Sequence, residues 1–433
     1  MNSLWKETVG SKSFDRLSGE HICDVLIIGG GMAGLLCALM LRKKGVECIL
    51  VTDGKICNGT TQNTTAKITL QHGLIYDKII RKYGTERARQ YLLAQRAAME
   101  QFDTLCEEID CDYTHDDAYV YSLSSEGKIE RELAAYDKLR LPADFVKSLP
   151  IPISVKGAVR VKDQARFNPL KFAYSIAEGM PIYENTKVLE LLPDGALTNG
   201  GRIFAEKTVV ATHFPFLNKH GLYFVKMYQH RSYVMALKGA PRAQGMFVDE
   251  SDAGMSFRDA GDFLLLGGGG HRTGKPGGCW AELQDFARQN YPEAQEEFRW
   301  AAQDCMTLDG IPYIGRYSKT TENLFVATGF NKWGMTSSMA AGMIISDLVL
   351  GKKNDFADVF SPSRSILQPQ LAINTAESLI GLLTPTAPRC PHLGCALKYN
   401  PEEHSWDCPC HGSRFGEDGE LLNNPATDGK KDI

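Results

Sequence analysis

The sequence lacks the features that mark several specialised classes of protein. No charge predominates, since 48 Lys and Arg stand against 52 Asp and Glu for a formal net charge of -4, and the two signs are interspersed. A nucleic-acid-binding surface needs clustered positive charge, so this composition disfavours such a partner. The N-terminal segment has no apolar core of a secretory signal, and glycines interrupt the strongly apolar stretch Val25 to Leu41. We therefore expect a cytoplasmic protein without a membrane span.

A glycine-rich turn follows the first apolar run. The β-branched segment Cys23 to Ile28 predicts a strand, Leu35 to Lys44 has helical spacing, and Glu47 to Val51 predicts a second strand. The turn between the strand and the helix, Gly29 to Gly34, fits the pattern GxGxxG. In this context the pattern predicts a dinucleotide-binding β-α-β unit.

Each position of this turn has a physical reason to face the cofactor. Gly29 permits a tight turn, Gly31 lets the backbone approach a pyrophosphate, and Gly34 allows close helix packing. Met32 and Ala33 lie at the helix N-terminus, whose amides stabilise phosphate charge. An acidic residue is expected at the end of the second strand to bind the ribose. Thr52 occupies that place and Asp53 follows one step later, so both are candidates.

A polar loop after the second strand, residues 58–69, is rich in hydroxyl groups and too long for a simple turn. Such a loop suits hydrogen bonding to a large polar ligand. The candidate cofactor-binding residues here are Thr60, Thr61, Thr65, Ala66 and Lys67.

The chain resembles the FAD-dependent amine and amino-acid oxidoreductases of the glycine oxidase and D-amino-acid oxidase-like superfamily. Two further segments, Asp309 to Gly315 and Ala327 to Thr336, are similar to its C-terminal flavin motif. The resemblance implies an α/β Rossmann-like FAD-binding domain with an inserted α+β substrate domain, and FAD as cofactor. It also implies further cofactor-binding positions, namely Val188, Ala211, Thr212, Asp309, Gly310, Gly329, Lys332, Trp333, Gly334, Met335 and Thr336.

A long helix is predicted to follow this motif and run to Leu350. We expect Thr336 or Ser337 to cap it, so that its N-terminal amides face the flavin pyrimidine ring. Positive potential there stabilises reduced flavin, and Lys332 and Lys67 are candidates to add to it.

Residues for substrate chemistry are harder to identify. His72, His271 and Arg258 are the candidate catalytic residues, and His213 is a further one, because each lies in or beside a glycine-containing segment. Amino-acid oxidases of the superfamily carry a carboxylate-binding Arg just before the Asp-Gly-x-Pro segment, but residues 302–306 contain none. This departure disfavours an amino-acid substrate. Covalent attachment of flavin through Cys57 or His72 stays open.

The cysteines are distributed unevenly. Of 12 cysteines, eight are scattered singly, as small buried hydrophobes are, whereas Cys390, Cys395, Cys408 and Cys410 lie together near three histidines. A CxH followed by a CxxH, each in a loop with Gly and Pro, predicts a metal site, for which tetrahedral zinc is the alternative to iron and sulfur.

The spacing and the loop residues closely resemble those of Rieske proteins. This resemblance implies a [2Fe-2S] cluster with Cys390 and Cys408 on one iron and His392 and His411 on the other, and a disulfide between Cys395 and Cys410. Phe415 occupies the position of a tyrosine in high-potential members, so a lower potential is expected.

Together the motifs predict a domain plan. With 433 residues the chain exceeds what one core organises. The first expected unit is a flavin domain, 1–355, with nucleotide-binding parts at about 20–75, 160–215 and 305–351 and substrate parts at about 76–159 and 216–304. A linker with a short helix is expected at 356–385. The last expected unit is a small, truncated all-β Rieske module at 386–433.

The hypothesis for function is oxidation of a small molecule, for instance an amine, at FAD, with single electrons passing through the cluster to or from a partner protein. The alternative is a non-metabolic redox sensor or electron carrier with the same cofactors. A Rieske oxygenase needs a mononuclear iron domain, which is not evident. Substrate, direction of electron flow and oligomeric state stay open.

Overall fold

The computed structural model describes residues 2–217, 220–385 and 388–430. The strands, in chain order, are β1 (Gly19–Ile28), β2 (Cys48–Val51), β3 (Lys67–Ile68), β4 (Thr114–Ser122), β5 (Asp144–Val146), β6 (Gly157–Arg166), β7 (Ile182–Tyr183), β8 (Val188–Leu192), β9 (Gly195–Thr198), β10 (Gly201–Val210), β11 (Met227–Lys238), β12 (Met246–Asp249), β13 (Ser256–Ala260), β14 (Phe263–Arg272), β15 (Gln295–Thr307), β16 (Tyr313–Arg316), β17 (Leu324–Thr328), β18 (Lys398–Asn400), β19 (Ser405–Asp407), β20 (Arg414–Gly416) and β21 (Leu421–Asn423).

The helices, in chain order, are α1 (Leu4–Thr8), α2 (Met32–Lys43), α3 (Thr60–Asn63), α4 (Ile75–Tyr83), α5 (Thr85–Cys106), α6 (Glu126–Leu139), α7 (Pro169–Ile176), α8 (Tyr223–Lys226), α9 (Cys279–Asn290), α10 (Gly334–Val349), α11 (Ala357–Phe360) and α12 (Pro369–Leu383). In the part of the chain that the structure covers, none of them combines the length and the hydropathy needed to cross a lipid bilayer.

The first sheet is the nucleotide-binding one, with the strand order β16-β17-β10-β1-β2-β7 and with β9 and β8 attached beside β10. Its central strands β17, β10, β1, β2 and β7 are parallel, as βαβ crossovers require. The β-α-β start predicted from the sequence is therefore confirmed as β1, α2 and β2. Helix α10 packs closely on α2, because a Cβ at Gly342 would lie only 2.8 Å from the Leu36 carbonyl oxygen.

The second sheet has the order β15-β11-β14-β13-β12-β4-β6-β3, with β5 beside β6. The antiparallel pair β11 and β15 runs from Met227↔Thr307 to Lys238↔Gln295. The two strands form a wall of the cavity described below. The chain leaves the first sheet, builds this second sheet and returns, which confirms the predicted α/β domain with an inserted substrate part.

The charge pattern of the segment Gln284 to Trp300 predicts a single helix, and this prediction is wrong in its second half. Helix α9 ends at Asn290 and β15 begins at Gln295. Pro292 lies between the two elements and lacks a backbone N–H, so it interrupts a helix. The following residues instead pair with β11 along its whole length, a long-range contact that local periodicity does not report.

The third sheet is a small antiparallel meander, β18-β19-β20-β21, at the C-terminal end of the described chain. Two pieces of regular structure lie next to the first ligand loop ahead of this meander in the described chain. They are helix α12 and an isolated bridge between Arg389 and Ala396. The predicted small, all-β module is confirmed. Helix α12 packs against it so closely that a Cβ at Gly381 would lie 2.6 Å from the Cys410 sulfur.

Candidate functional site

The glycine turn after β1 has no room for a side chain at its first and last glycines, Gly29 and Gly34. Gly29 has φ of +116°, and a Cβ there would lie 2.5 Å from the Ala211 carbonyl oxygen. A Cβ at Gly34 would lie 1.9 Å from the Gly29 carbonyl oxygen. The backbone N–H of Met32 donates to the Thr61 hydroxyl at 3.0 Å, which ties the polar loop to the helix N-terminus. Such a cradle fits a dinucleotide phosphate.

Four further predicted residues surround this cradle. Ala33 is buried in α2, Gly31 is the N-cap residue of α2, and Ala211 directly follows β10 beside β1. Thr212 is the next residue, and its carbonyl oxygen accepts a hydrogen bond from the Asn424 side chain at 2.7 Å. The predicted glycine and alanine positions thus lie together at the carboxyl ends of β1 and β10.

The two candidate ribose-binding residues at the end of β2 differ in burial. Thr52 is buried, and its backbone pairs with Tyr183 and Thr186, whereas Asp53 is exposed. A carboxylate that the sequence analysis missed lies close by: Glu184 is buried and accepts hydrogen bonds from the backbone N–H groups of Ile56 at 2.9 Å and Phe14 at 3.2 Å. Glu184 therefore orders the loop after Thr52.

A cavity of about 870 Å³ lies between the polar loop, α4, the β11–β15 wall and the N-terminus of α10. Helix α3 connects the cavity with the cradle, because Thr61 bonds Met32 while its neighbour Thr60 lines the cavity. The predicted residues that line it are Thr60, Thr65, Lys67, His72, Asp309, Gly310, Lys332, Trp333, Gly334 and Met335. Segments far apart in sequence thus meet at one cavity.

His72 connects several elements at the cavity. Its Nδ1 lies 2.6 Å from the Tyr91 hydroxyl, its Nε2 lies 3.0 Å from the Thr336 hydroxyl, and its ring stacks on Trp333 at 5.1 Å between centroids. Burial lowers the pKa of His72 to about 3, so the imidazole is neutral at physiological pH. The predicted capping role of Thr336 and Ser337 is wrong, because α10 begins at Gly334 and its N-cap residue Trp333 makes no side-chain cap.

Asp309 is held by an arginine from the linker. Arg364 donates from Nε and Nη2 to the two carboxylate oxygens of Asp309, both at 2.8 Å, and the Tyr83 hydroxyl donates to Oδ2 at the same distance. Burial opposes ionisation of Asp309, but the charge and the hydrogen bonds of Arg364 outweigh it and lower the pKa of Asp309. Gly310 follows with φ of +80°. This pair fixes the segment before β16.

Two of the predicted cofactor-binding residues at the cavity are lysines. Burial and the charge of Arg258 lower the pKa of Lys67 to about 7, and the Lys67 ammonium lies 3.0 Å from the Thr65 hydroxyl. Lys332 has φ of +71° and donates to the Asp252 carbonyl oxygen at 2.9 Å. Gly329, at the start of its loop, is bonded by the Asn331 side chain at 2.6 Å. A lysine whose pKa lies near 7 can take up a proton when an anion binds beside it.

Strand β15 contributes one carboxylate to the cavity lining that is not predicted from the sequence. Asp304 lies on β15 opposite His230 of β11 and lines the cavity. Burial raises the pKa of Asp304 to about 6, while the charges of Lys332 and Arg231 oppose the rise. In the sequence, the segment 302–306 that contains Asp304 stands out only by the absence of an arginine. The alternation of strand β15 was the signal that would have placed Asp304 on the cavity face.

Other predicted residues lie outside the cavity lining. The Arg258 guanidinium is buried, donates to the Ala66 carbonyl oxygen at 2.8 Å and lies over the Trp5 ring. The His271 Nε2 lies 2.9 Å from the Tyr233 hydroxyl. Val188 lies in β8 and packs against the smaller cluster of the first sheet. His213, with φ of +66°, and Cys57, which is buried, are also outside it.

The two predicted cluster loops have the same backbone design. In the first, the Cys390 N–H donates to the Cys395 carbonyl at 2.8 Å and the Gly394 N–H donates to the Cys390 carbonyl at 2.9 Å. In the second, Cys408 pairs with Ser413 and Gly412 with Cys408 at the same two distances. Gly394 and Gly412 have φ of +79° and +88°. The loops therefore present equivalent positions to each other.

The four predicted ligands meet between these loops. The rings of His392 and His411 are 5.1 Å apart at 88°, and the thiols of Cys390 and Cys408 hydrogen-bond to each other. Cys395 and Cys410 form a disulfide, with Cα atoms 6.6 Å apart, that ties the loops together. Two thiols and two imidazoles on paired loops are the donor set of a Rieske cluster, so the residues present fit it.

The cluster loops sit directly on the flavin domain. The Gln229 amide donates to the carbonyl oxygens of His411 at 3.1 Å and Asn424 at 2.8 Å. The Gln303 amide donates to the Gln229 side chain at 2.7 Å and to the Gly412 carbonyl at 2.8 Å. A Cβ at Gly412 would lie 2.5 Å from the Gln229 Cβ. Strands β11 and β15 thus form both the cavity wall and the seat of the second cluster loop.

A family model described as FAD dependent oxidoreductase matches residues 24–348. The chain belongs to this family of FAD-dependent oxidoreductases. A second model, the Rieske [2Fe-2S] domain, matches residues 349–432. The cofactors are accordingly FAD and a [2Fe-2S] cluster, which confirms both predictions. When bound, FAD supplies two-electron chemistry and the cluster supplies one-electron chemistry.

Curated relatives and solved structures agree with this assignment. The chain is 34% identical to YhfW of Bacillus subtilis, named as a Rieske 2Fe-2S iron-sulfur protein, over 100% of this chain and 97% of the relative. It is 23% identical to gamma-glutamylputrescine oxidoreductase of Escherichia coli over 80% of this chain and 88% of the relative. The fold is similar to glycine oxidase from Geobacillus kaustophilus, with a TM-score of 0.65, 22% identity, and coverage of 80% of this chain and 99% of that one.

Proposed function

We propose that this oxidoreductase couples the two-electron oxidation of a small amine at FAD to one-electron transfer through its Rieske cluster. The observation that carries the proposal is the position of Gln303, which contacts both sites. Its carbonyl oxygen accepts the Thr60 hydroxyl at 3.0 Å, and Thr60 lines the cavity. Its side-chain amide donates to Gly412 in the cluster loop at 2.8 Å.

Polar contact between the two sites is continuous through this residue. The Thr273 hydroxyl donates to the Gln303 Oε1 at 3.2 Å, so both ends of the amide are bonded. The Asn424 amide, from the Rieske module, donates to the carbonyls of Thr212 and Phe214 beside the glycine cradle. Fixed hydrogen bonds of this kind hold the cluster at a constant position relative to the cavity. Such fixation is what electron transfer within one chain requires.

The two histidine ligands face different surroundings. The His411 ring is buried and lies 6.2 Å from the Phe224 ring of the flavin domain. The His392 ring is half-buried, between the exposed residues Pro391 and Leu393. Electrons exchanged with the flavin domain therefore pass on the inner side of the cluster, at His411. Electrons exchanged with a partner protein pass on the outer side, at His392.

An amine substrate is supported by the cavity and by one relative. Asp304 places a carboxylate in the wall, and residues 302–306 contain no arginine that would bind a substrate carboxylate. The relative from Escherichia coli carries gamma-glutamylputrescine, an amine derivative, in its name. The alternative of a redox sensor or carrier uses the same cofactors but needs no substrate-dependent step.

An anaerobic titration separates these possibilities. The purified holoprotein is mixed with a panel of mono- and diamines, and the flavin absorbance and the cluster EPR signal are followed. We expect at least one amine to bleach the flavin band, followed by appearance of the reduced-cluster signal. Cluster reduction by an added donor, with no amine able to bleach the flavin, would favour the carrier.

The coupling itself is tested with Gln303→Leu. This change removes the contact to Gly412, so we expect cluster reduction after flavin reduction to slow about fivefold, because the hydrogen bond of about 1 kcal/mol that holds the cluster loop against β15 is lost. Gln295→Leu, at an exposed position of the same strand, is the matched control. Equal stopped-flow rates in the wild type and the Gln303 variant would contradict this role.

A further inference from the structure

Two cysteines outside both cofactor sites have their sulfur atoms in contact. The Cys111 thiol donates to the Cys106 sulfur at 3.5 Å. Cys106 is the last residue of α5 and is half-buried, whereas Cys111 is buried just before β4. Neither residue lines the cavity or contacts a cluster loop. The contact therefore belongs to neither site described above.

The backbone already holds the two residues in a closed loop. The N–H groups of Glu108 and Ile109 both donate to the Leu105 carbonyl, which continues the turn after α5. The Asn168 N–H donates to the Cys111 carbonyl at 2.7 Å, and Lys171 bonds Asp112 at 2.7 Å. Both ends of the loop are thus fixed. The two sulfurs lie 3.5 Å apart, so a disulfide requires them to approach each other by about 1.5 Å.

Differences in exposure and the local charges give the pair an order of reaction. The two thiols share one hydrogen bond, so one proton is released more readily than the second. Solvent reaches the sulfur of Cys106 before that of Cys111, because Cys106 is the more exposed. The acidic side chains that flank the loop are Asp103, Glu107, Glu108, Asp110 and Asp112, and the cation Lys171 pairs with Asp112.

We propose that Cys106 and Cys111 are a reversible thiol–disulfide modification site whose oxidants are small cationic or neutral disulfides. The Cys106 thiolate attacks the reagent, forms a mixed disulfide and releases one reagent thiol. The Cys111 thiolate then attacks the Cys106 sulfur and releases the second reagent thiol. The two cysteine sulfurs lose two electrons, the reagent disulfide gains them, and the two cysteine protons pass through water to the released thiols.

The test uses the intact holoprotein, reduced gently and freed of reductant without oxygen. It is treated with cystamine, which carries two positive charges, or with glutathione disulfide, which is negatively charged. Free thiols are then alkylated and the peptides are mapped by mass spectrometry. We expect a Cys106–Cys111 disulfide, formed several-fold faster with cystamine at low salt, because the acidic side chains attract the cation. Cys37 and Cys48, buried in the flavin domain, serve as internal controls that stay free.

Two variants make the order of steps visible. Cys111→Ser should trap cystamine on Cys106 as a stable mixed disulfide, because the resolving thiol is absent. Cys106→Ser should leave Cys111 unmodified, since that sulfur is buried. Two free thiols at these positions in the treated wild-type protein would overturn the proposal, and so would equally fast modification of Cys111 in Cys106→Ser. Equal rates with the two reagents would overturn the preference for cations.

Discussion

The flavin site and the cluster site are built on opposite plans. The predicted flavin site collects residues from Gly29 to Thr336, on both large sheets and on helices between them. All four predicted cluster ligands lie between Cys390 and His411, on two loops with identical backbone hydrogen bonds. The cluster site therefore depends on local loop geometry, whereas the flavin site depends on the packing of distant elements. Single substitutions should therefore damage one site without the other.

The largest effect is expected from Cys408→Ser. Replacing a thiolate ligand removes a bond to iron, so the cluster signal in EPR and the bound iron should be lost completely. FAD absorbance should persist, because the cradle at Gly29 and Gly34 is untouched. Cys23→Ser, at a buried cysteine of β1, should retain both cofactors. Loss of FAD together with iron in Cys408→Ser would show that the two sites fold as one unit.

The reciprocal change is Gly34→Ala. Its Cβ would lie 1.9 Å from the Gly29 carbonyl oxygen, so the turn must shift away from the phosphate position. We expect FAD affinity to fall about tenfold or more, equivalent to about 1.4 kcal/mol, with the cluster signal unchanged. Gly54→Ala, where nothing lies within 4 Å of an added Cβ, is the control. Unchanged flavin content after dialysis would refute the close-packing argument.

The contact between the two regions is tested by Glu403→Gln. Glu403 of the Rieske module pairs with Arg231 of β11 and with Arg414 at 2.9 Å, and accepts the Tyr233 hydroxyl at 3.0 Å. Breaking this buried pair should destabilise the docked module by about 3 kcal/mol. Urea unfolding followed by cluster absorbance measures the loss. Glu402→Gln, at the exposed neighbouring position, should have little effect.

The same carboxylate gives this contact a pH dependence. Burial opposes ionisation of Glu403, but Arg231 and Arg414 outweigh it and lower its pKa from 4.5 to about 2. A lowered pKa stabilises the folded state above the unfolded value, and the gain is lost as the carboxylate is protonated. The difference between wild type and Glu403→Gln should therefore be complete above pH 4.5 and shrink from there towards pH 2. A difference independent of pH in this window would assign the effect to packing instead.

The smallest effect concerns the cluster potential. The Ser413 hydroxyl hydrogen-bonds to the Cys390 sulfur, and Phe415 is fully buried nearby in β20. Removing one neutral hydrogen bond of about 1 kcal/mol in Ser413→Ala should lower the potential by about 40 mV. Phe415→Tyr should raise it if the added hydroxyl reaches a sulfur. Spectroelectrochemical titration of both variants measures these shifts, and a potential unchanged in Ser413→Ala would exclude the hydrogen bond as a determinant.

The sequence predicted the local features well and the distant ones in part. The glycine cradle and the two cluster loops each lie in one short segment, where spacing and turn residues fix the geometry. Gln303 and Asp304 were not predicted as site residues, because their importance arises only when β15 pairs with β11. The same pairing ended α9 earlier than its charge pattern suggested. The catalytic roles of His72, His271 and Arg258 stay predictions, and of these three only His72 lines the cavity.

The shared use of β11 and β15 has an evolutionary consequence. Other side chains of these two strands, such as Tyr228 and Asp304, line the cavity, whereas Gln229 and Gln303 hold the neighbouring module. A substitution that displaces either strand therefore affects both sites, and selection acts on both effects. A C-terminal module transplanted onto another oxidase of this fold would lack its docking platform unless the two strands were transplanted with it.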